Sequence, residues 1–205
     1  MSTTISRHPD IASLMSYVAG SLPEPLAAGV SAHVSMCTEC RRRLRDMELI
    51  GAELFRASPA LRARKIEITV PDLEQDGGAR EKPVPHANRA AEKLPEPIAR
   101  KYGLAFDTIP WRPIGEGAWH YRLPLSPGVE GDLRLFKFAP GYKFQLHGHG
   151  GAEFTLVIDG AFSDATGVYR RGDAQDLDDE TQHQPIVDED LGCVCLIACD
   201  RPLES

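Results

Sequence analysis

The period of the apolar pattern changes once along this chain, and that change limits what it can fold into. Between residues 9 and 58 apolar side chains recur at helical spacing: Ile11, Leu14, Met15 and Val18, then Leu26, Val30 and Val34, then Leu44, Met47, Leu54 and Phe55. From Trp111 onward the period is two, with Leu133, Phe136 and Phe138 in one candidate strand and Phe154 to Ile158 in another. Val168 to Arg170 and Cys193 to Ala198 extend the strand series, with glycines at 131, 141, 160, 167 and 172 between them. Short strands at this spacing, with no helical stretches to cross a parallel sheet, predict an all-β sandwich or small barrel. Pro71 to Pro97 is polar, rich in Pro and Gly and without apolar periodicity, so it reads as a linker. The expectation is an α+β chain with a small helical bundle over 1–75, a linker over 76–97 and a β-domain over 98–205. A length of 205 residues accommodates this division.

The helical part is predicted as three short helices. Gly20 stops the first, Ser21 and Glu24 are placed to form a capping box for the second, and the third runs from about Glu39 to Ala57 with Pro59 beyond it. The stretch from Leu61 to Val70 is ambiguous between helix and strand. Three such helices bury little surface, so a bundle of this size usually needs a staple such as a metal. His33, Cys37 and Cys40 supply one, as H-x3-C-x2-C. Positions i and i+4 share a helix face, so His33 and Cys37 point at one ion, and Cys40 follows just past the helix junction. Imidazole nitrogen and thiolate sulfur in this ratio suit tetrahedral zinc. His8 is the other histidine before the linker and the candidate fourth ligand, the alternatives being water or no ion.

The second constellation reads G-x5-H-x-H-x3-E-x6-G, from Gly141 through His147, His149 and Glu153 to Gly160. On a strand i and i+2 face the same way, so both histidines point into a barrel, and Gly150 and Gly151 make the turn that returns Glu153. His183 is the candidate for a fourth ligand from a distant strand. Two or three imidazoles with a carboxylate suit a borderline divalent ion: zinc, iron, manganese, nickel or copper. The five cysteines, in two clusters, argue against a secreted disulfide framework. Cys193 and Cys195 stand one residue apart on an apolar strand and share a face. Packing as small buried hydrophobes is the favoured reading, oxidation in response to stress the sharper one. His86 in the linker and His120 beside Tyr121 read as surface or packing residues.

A net charge of −7 speaks against direct nucleic-acid contact, and Arg41, Arg42, Arg43 and Arg45 read as a solvated helix face. His8, Pro9 and Asp10 fall where a signal peptide needs an apolar core, and no apolar run approaches the roughly 18 residues of a membrane span. The expected compartment is the cytoplasm, with no membrane contact.

On the strength of His8 and His33-x3-Cys37-x2-Cys40, residues 1 to about 70 resemble the zinc-binding anti-sigma domain. That resemblance implies zinc held by His8, His33, Cys37 and Cys40. It also implies packing between the two conserved regions of an extracytoplasmic-function sigma factor, which keeps the factor from RNA polymerase. The family usually carries a fourth helix after the metal motif, and here that segment is Leu61 to Leu73. Residues 98 to about 201 resemble a cupin, a double-stranded β-helix or jelly-roll barrel. The first cupin motif matches at every spacing, and the second keeps Gly172 and His183 while Asp178, Glu180 and Val187 replace its usual Pro, Gly and Asn. His147, His149, Glu153 and His183 are then the barrel ligands. The order of parts is similar to ChrR-type anti-sigma factors, in which the cupin responds to singlet oxygen or organic hydroperoxides. Its competitor is a cupin metalloenzyme, a dioxygenase or isomerase with an N-terminal interaction module. A third, weaker reading is a sensor acting on another protein.

Overall fold

The computed structural model describes residues 5–57 and 93–202. The ambiguous segment from Leu61 to Leu73, where the family usually carries its fourth helix, the linker from 76 to 92 and His86 lie outside those residues. Within them the chain forms α1 (Ile11–Val18), α2 (Glu24–Met36), α3 (Thr38–Ala57) and α4 (Glu96–Tyr102). Ten strands follow: β1 (Arg112–Gly115), β2 (Ala118–Arg122), β3 (Asp132–Phe138), β4 (His147–Gly148), β5 (Glu153–Asp164), β6 (Gly167–Arg170), β7 (Ala174–Leu177), β8 (Gln182–His183), β9 (Ile186–Val187) and β10 (Cys193–Cys199).

The first three helices match the apolar periodicity closely. Asp10 caps α1 by accepting a hydrogen bond from the Ala12 amide at 2.7 Å. The expected capping box at Ser21 and Glu24 does not form. Pro23 is the cap residue of α2 without a side-chain cap, and the Ser21 hydroxyl turns back to the Ser16 carbonyl. The end of the expected linker, residues 93–97, is not purely linker: Leu94 is buried, and α4, with a Pro inside its first turn, begins at Glu96 and buries Ile98.

The strands form an antiparallel sheet in the order β1-β2-β3-β10-β5-β6, with β7 and β9 also pairing with β5, and β4 pairs with β8 alone. Alternation along the strands sorts the core into two layers. Phe136 and Phe138 on β3 register with Cys195 and Cys193 on β10 and, with Val157, Phe162 and Val187, fill the barrel interior. Leu133, Leu135, Phe154, Leu156 and Leu196 face the other way, into one continuous cluster with Leu14, Leu26, Val30 and Ile98. The helices are therefore seated on the outer face of the sheet rather than held only by a tether. Gly29 of α2 makes this close approach: a Cβ there would lie 2.5 Å from Cδ1 of Phe154.

α3 is different. Cys40 and Leu44 are its buried residues, and every residue from Glu48 to Ala57 is exposed. Arg42 and Arg43 pair with Glu39 at 2.7 and 3.1 Å, as a solvated face would. No helix among the described residues is long and apolar enough to cross a membrane.

Candidate metal centres

His33 and Cys40, on successive helices, and Cys37, the residue between them, meet His8, which precedes α1. The Cys40 thiol lies 3.3 Å from Nε2 of His33 and 3.3 Å from Nδ1 of His8, and Cys37 lies 3.5 Å from His8. One donor atom of each of the four lies within 4.8 Å of every other. Zinc bound tetrahedrally by nitrogen and sulfur needs donors about 3.5 Å apart, so the set fits that ion. His33, Cys37 and Cys40 are buried. Burial, with His8 adding, lowers the His33 ring to about 4, and burial beside Cys37 pushes the Cys40 thiol up to about 12. A divalent cation at the centre of the set reverses the cost of ionising the thiols. All four residues expected at this site are brought together.

In the barrel, His147 and His183 register opposite each other on β4 and β8, and His149 follows His147 by two residues. These three form the second convergent set. Each ring has its Nδ1 against an oxygen: His147 against the Gln145 carbonyl at 2.8 Å, His149 against Oε2 of Glu153 at 3.1 Å, His183 against Oδ2 of Asp164 at 3.0 Å. A carbonyl or carboxylate only accepts, so Nδ1 carries the proton and Nε2 is left as the donor to an ion. The Nε2 atoms of His149 and His183 lie 3.0 Å apart. Glu153 does not join the convergent set. Its carboxylate, on the first residue of β5, is engaged by the His149 ring, and as a ligand it would have to exchange that contact for the ion. Its hydrogen bond raises the His149 value, while burial lowers that of His183.

Asp164 escaped sequence reasoning, because Asp-Ala-Thr-Gly reads as a turn and nothing in it points back to His183. Its buried carboxylate accepts from the Thr166 amide and hydroxyl at 2.8 and 2.6 Å and from Gln175 at 2.7 Å, besides His183. Burial pushes this carboxyl up, but the hydrogen bonds outweigh it and the net shift is down.

Cys193 and Cys195 face the barrel interior, with thiols 3.5 Å apart. They line a cavity of about 50 Å³ together with His147, Glu153 and His183. Contact with Cys195 and burial push the Cys193 thiol up, which disfavours the reactive thiolate. A wider cleft of about 730 Å³ opens on the His147 and His149 side. His120 lies 3.2 Å from Arg134, with its ring near that of Phe136, and belongs to neither convergent set.

Comparison with known proteins connects the two centres. The ChrR cupin-like domain family matches residues 100–201. The anti-sigma-E factor ChrR of Cereibacter sphaeroides is 35% identical over 202 residues, spanning 98% of this chain and 92% of that protein. This chain belongs to the ChrR family of anti-sigma factors. The crystal structure of Rhodobacter sphaeroides SigE in complex with the anti-sigma ChrR matches with a TM-score of 0.75 at 30% identity, over 96% of this chain and 99% of that one. The match runs through both modules and their order, so the cupin fold and the helical module stand together.

Proposed function

We propose that this ChrR-family chain binds and inhibits an extracytoplasmic-function sigma factor through its helices, that zinc on His8, His33, Cys37 and Cys40 holds those helices in shape, and that the barrel centre receives the signal for release. The observation that carries the reading is the outer half of α3. Leu49, Ile50, Leu54 and Phe55 are 67, 62, 67 and 48% exposed, large apolar side chains spread around the outer half of the helix. Ile11 and Met15 of α1 add 55 and 59% exposed apolar side chains. The SigE complex of the relative supplies the class of partner that such apolar side chains would meet. The acidic chain acts on that protein rather than on DNA, and in the cytoplasm, where sigma factors work.

At the barrel, His147, His149 and His183 would hold a divalent ion, zinc or alternatively iron, manganese or nickel, with Glu153 as a further ligand. Bound there, such an ion supplies a coordination position for a small oxidant. Singlet oxygen or an organic hydroperoxide is the signal in this reading, and the adjoining cavity and cleft give it access.

The test is capture of partners by the full zinc-loaded chain from a lysate of its host, with a chelated control. The full chain is the proper bait because the helices share their core with the barrel. A sigma factor retained by the loaded bait and lost from the chelated one supports the reading. Soluble loaded bait that retains no sigma factor overturns it. The open barrel centre favours one competitor, a metalloenzyme acting as a dioxygenase or isomerase. That competitor predicts metal-dependent oxygen consumption or turnover by the purified chain.

A further inference from the structure

The helical centre is assembled partly by the barrel. His8 belongs to no helix. It sits in a strap of residues 5 to 10 that lies against the turn between β6 and β7, two strands that each pair with β5. Asp173, 3% exposed and just before β7, is the seat of the strap. Its Oδ1 accepts from the Ser6 amide at 2.7 Å and the Arg7 amide at 3.0 Å, and its Oδ2 accepts from the Arg170 amide at 2.9 Å. The Ala174 amide donates to the Arg7 carbonyl at 3.1 Å, and the Asp10 amide to Asp176 at 3.0 Å. The strap is thus pinned on both sides of His8. The second imidazole of the same centre lies near the same turn: the Gly172 backbone favours the protonated His33 ring, whose buried Nδ1 makes no hydrogen bond. Gly172 is at φ +91, and a Cβ there would lie 2.6 Å from the Ile5 side chain.

β7 has a second commitment on its inner face. Gln175, next but one to Asp173, points into the barrel and donates to Oδ2 of Asp164 at 2.7 Å, the same oxygen that faces Nδ1 of His183. One four-residue strand therefore touches the carboxylate that orients a barrel imidazole and, through its edge, the strap that carries His8.

We propose that Asp173 is a positioning residue for the zinc centre, placing His8 by seating residues 6 and 7, and that β7 ties this placement to the His183 side of the barrel centre. This rests on the reading that His8, His33, Cys37 and Cys40 hold zinc. Removing a partner hydrogen-bonded to a metal ligand typically costs 10–100-fold in affinity, and Asp173, one step further out through the backbone of residues 6 and 7, should fall at the lower end of that range. A change at His183 is felt at His8 through Asp164, Gln175 and the strap, which is a physical route for a barrel event to loosen the helices.

The test uses the full chain with cobalt in place of zinc. Cysteine thiolates give cobalt a near-ultraviolet charge-transfer band that a site of imidazoles and carboxylate lacks, so the band reports the helical centre alone. Its decay is followed after addition of excess chelator. Asp173→Ala should speed the decay by about tenfold or more. Asp173→Asn, which keeps the size and one acceptor oxygen, should give a smaller acceleration and stands in if the alanine variant does not fold. Glu116→Ala, an exposed acid in the turn between β1 and β2, should match the parent chain. His183→Ala should speed the decay in the parent chain and add nothing in the Asp173→Ala background, since a shared route makes the two effects non-additive. Folded Asp173 variants that lose cobalt at the parent rate overturn the positioning role. An equal His183→Ala effect in both backgrounds overturns the coupling. Absence of the band in the parent chain would instead refute the zinc reading, and no arm depends on a sigma factor.

Discussion

Around the helical centre four donor atoms lie within 4.8 Å of one another, whereas around the barrel centre three ring nitrogens converge and each ring's other nitrogen is held by an oxygen. The first set is closed: two imidazoles and two thiols satisfy a tetrahedral ion, and three of the four residues are buried. The second is backed from behind and open in front, onto a cavity and a cleft. A closed set stabilises whatever carries its ligands. An open set keeps positions at which an exogenous molecule can bind or react. In the proposed reading similar side chains thus serve two ends, and the difference lies in what surrounds them.

Several experiments break or sharpen this contrast. The largest effect is expected from Cys40→Ala, which removes one of the four helical donors. Structural zinc in small modules is worth on the order of 10 kcal/mol, so this variant should lose helical metal and sigma binding together while barrel metal stays. Metal content and circular dichroism check it, and a variant that keeps its helices and its partner would show that the centre is not a staple.

Acidification should act next most strongly, and on the closed centre. The buried His33 ring is lowered to about 4 from 6.5 in the free chain. A group depressed in the folded state contributes stability that is present above its free value and lost as pH falls through the folded one. The loss should therefore run from pH 6.5 down to about 4 and reach about 3 kcal/mol. Protons also compete with zinc for the same donors, in the same direction. Denaturant melts across this window, with His33→Gln as control, decide it; stability unchanged down to pH 4 would contradict the assignment.

Gly29→Ala probes the seam between the two regions. Its Cβ collides with the Phe154 ring, so a loss of about 1–3 kcal/mol is expected, read from denaturant melts. Wild-type stability would mean that the helices do not depend on the barrel surface. Cys193→Ala and Cys195→Ala should have the smallest effect. Their thiols are buried and in mutual contact, so each should cost about 1 kcal/mol of packing and leave an oxidant response within about twofold of the parent. A blunted response in a reporter assay would instead place redox chemistry on them.

The fold was legible where a local pattern coincides with a structural period. Leu14, Val30 and Leu44 announced helices, and Phe136, Phe138 and the Cys193-to-Ala198 run announced strands, because in each case the buried face repeats at the period of the element. Both ligand sets were legible for the same reason, since His33 with Cys37, and His147 with His149, are spaced to share a face. What escaped is set by contacts between distant segments. Asp164 and Asp173 carry no motif, and their roles exist only because β5 and β7 bring them to His183 and to residues 6 and 7. The docking of the helices on the sheet was hidden too, because apolar residues alternating on both faces of a strand do not say what covers each face. Glu153 stands between these cases: its place beside the histidines was foreseen, its hydrogen bond to the His149 ring was not.

The most direct test of the contrast between a centre that holds and a centre that senses starts from the purified complex of the metal-loaded chain with its sigma factor. An organic hydroperoxide is added, and sigma release and helical zinc are followed together for the parent chain and for His147→Ala, which removes a barrel imidazole that does not contact Asp164. Release from the parent chain before helical zinc is lost, and a complex that persists in His147→Ala, are the predicted results. Release at equal rates from both, in step with loss of helical zinc, would place sensing at the closed centre and contradict it.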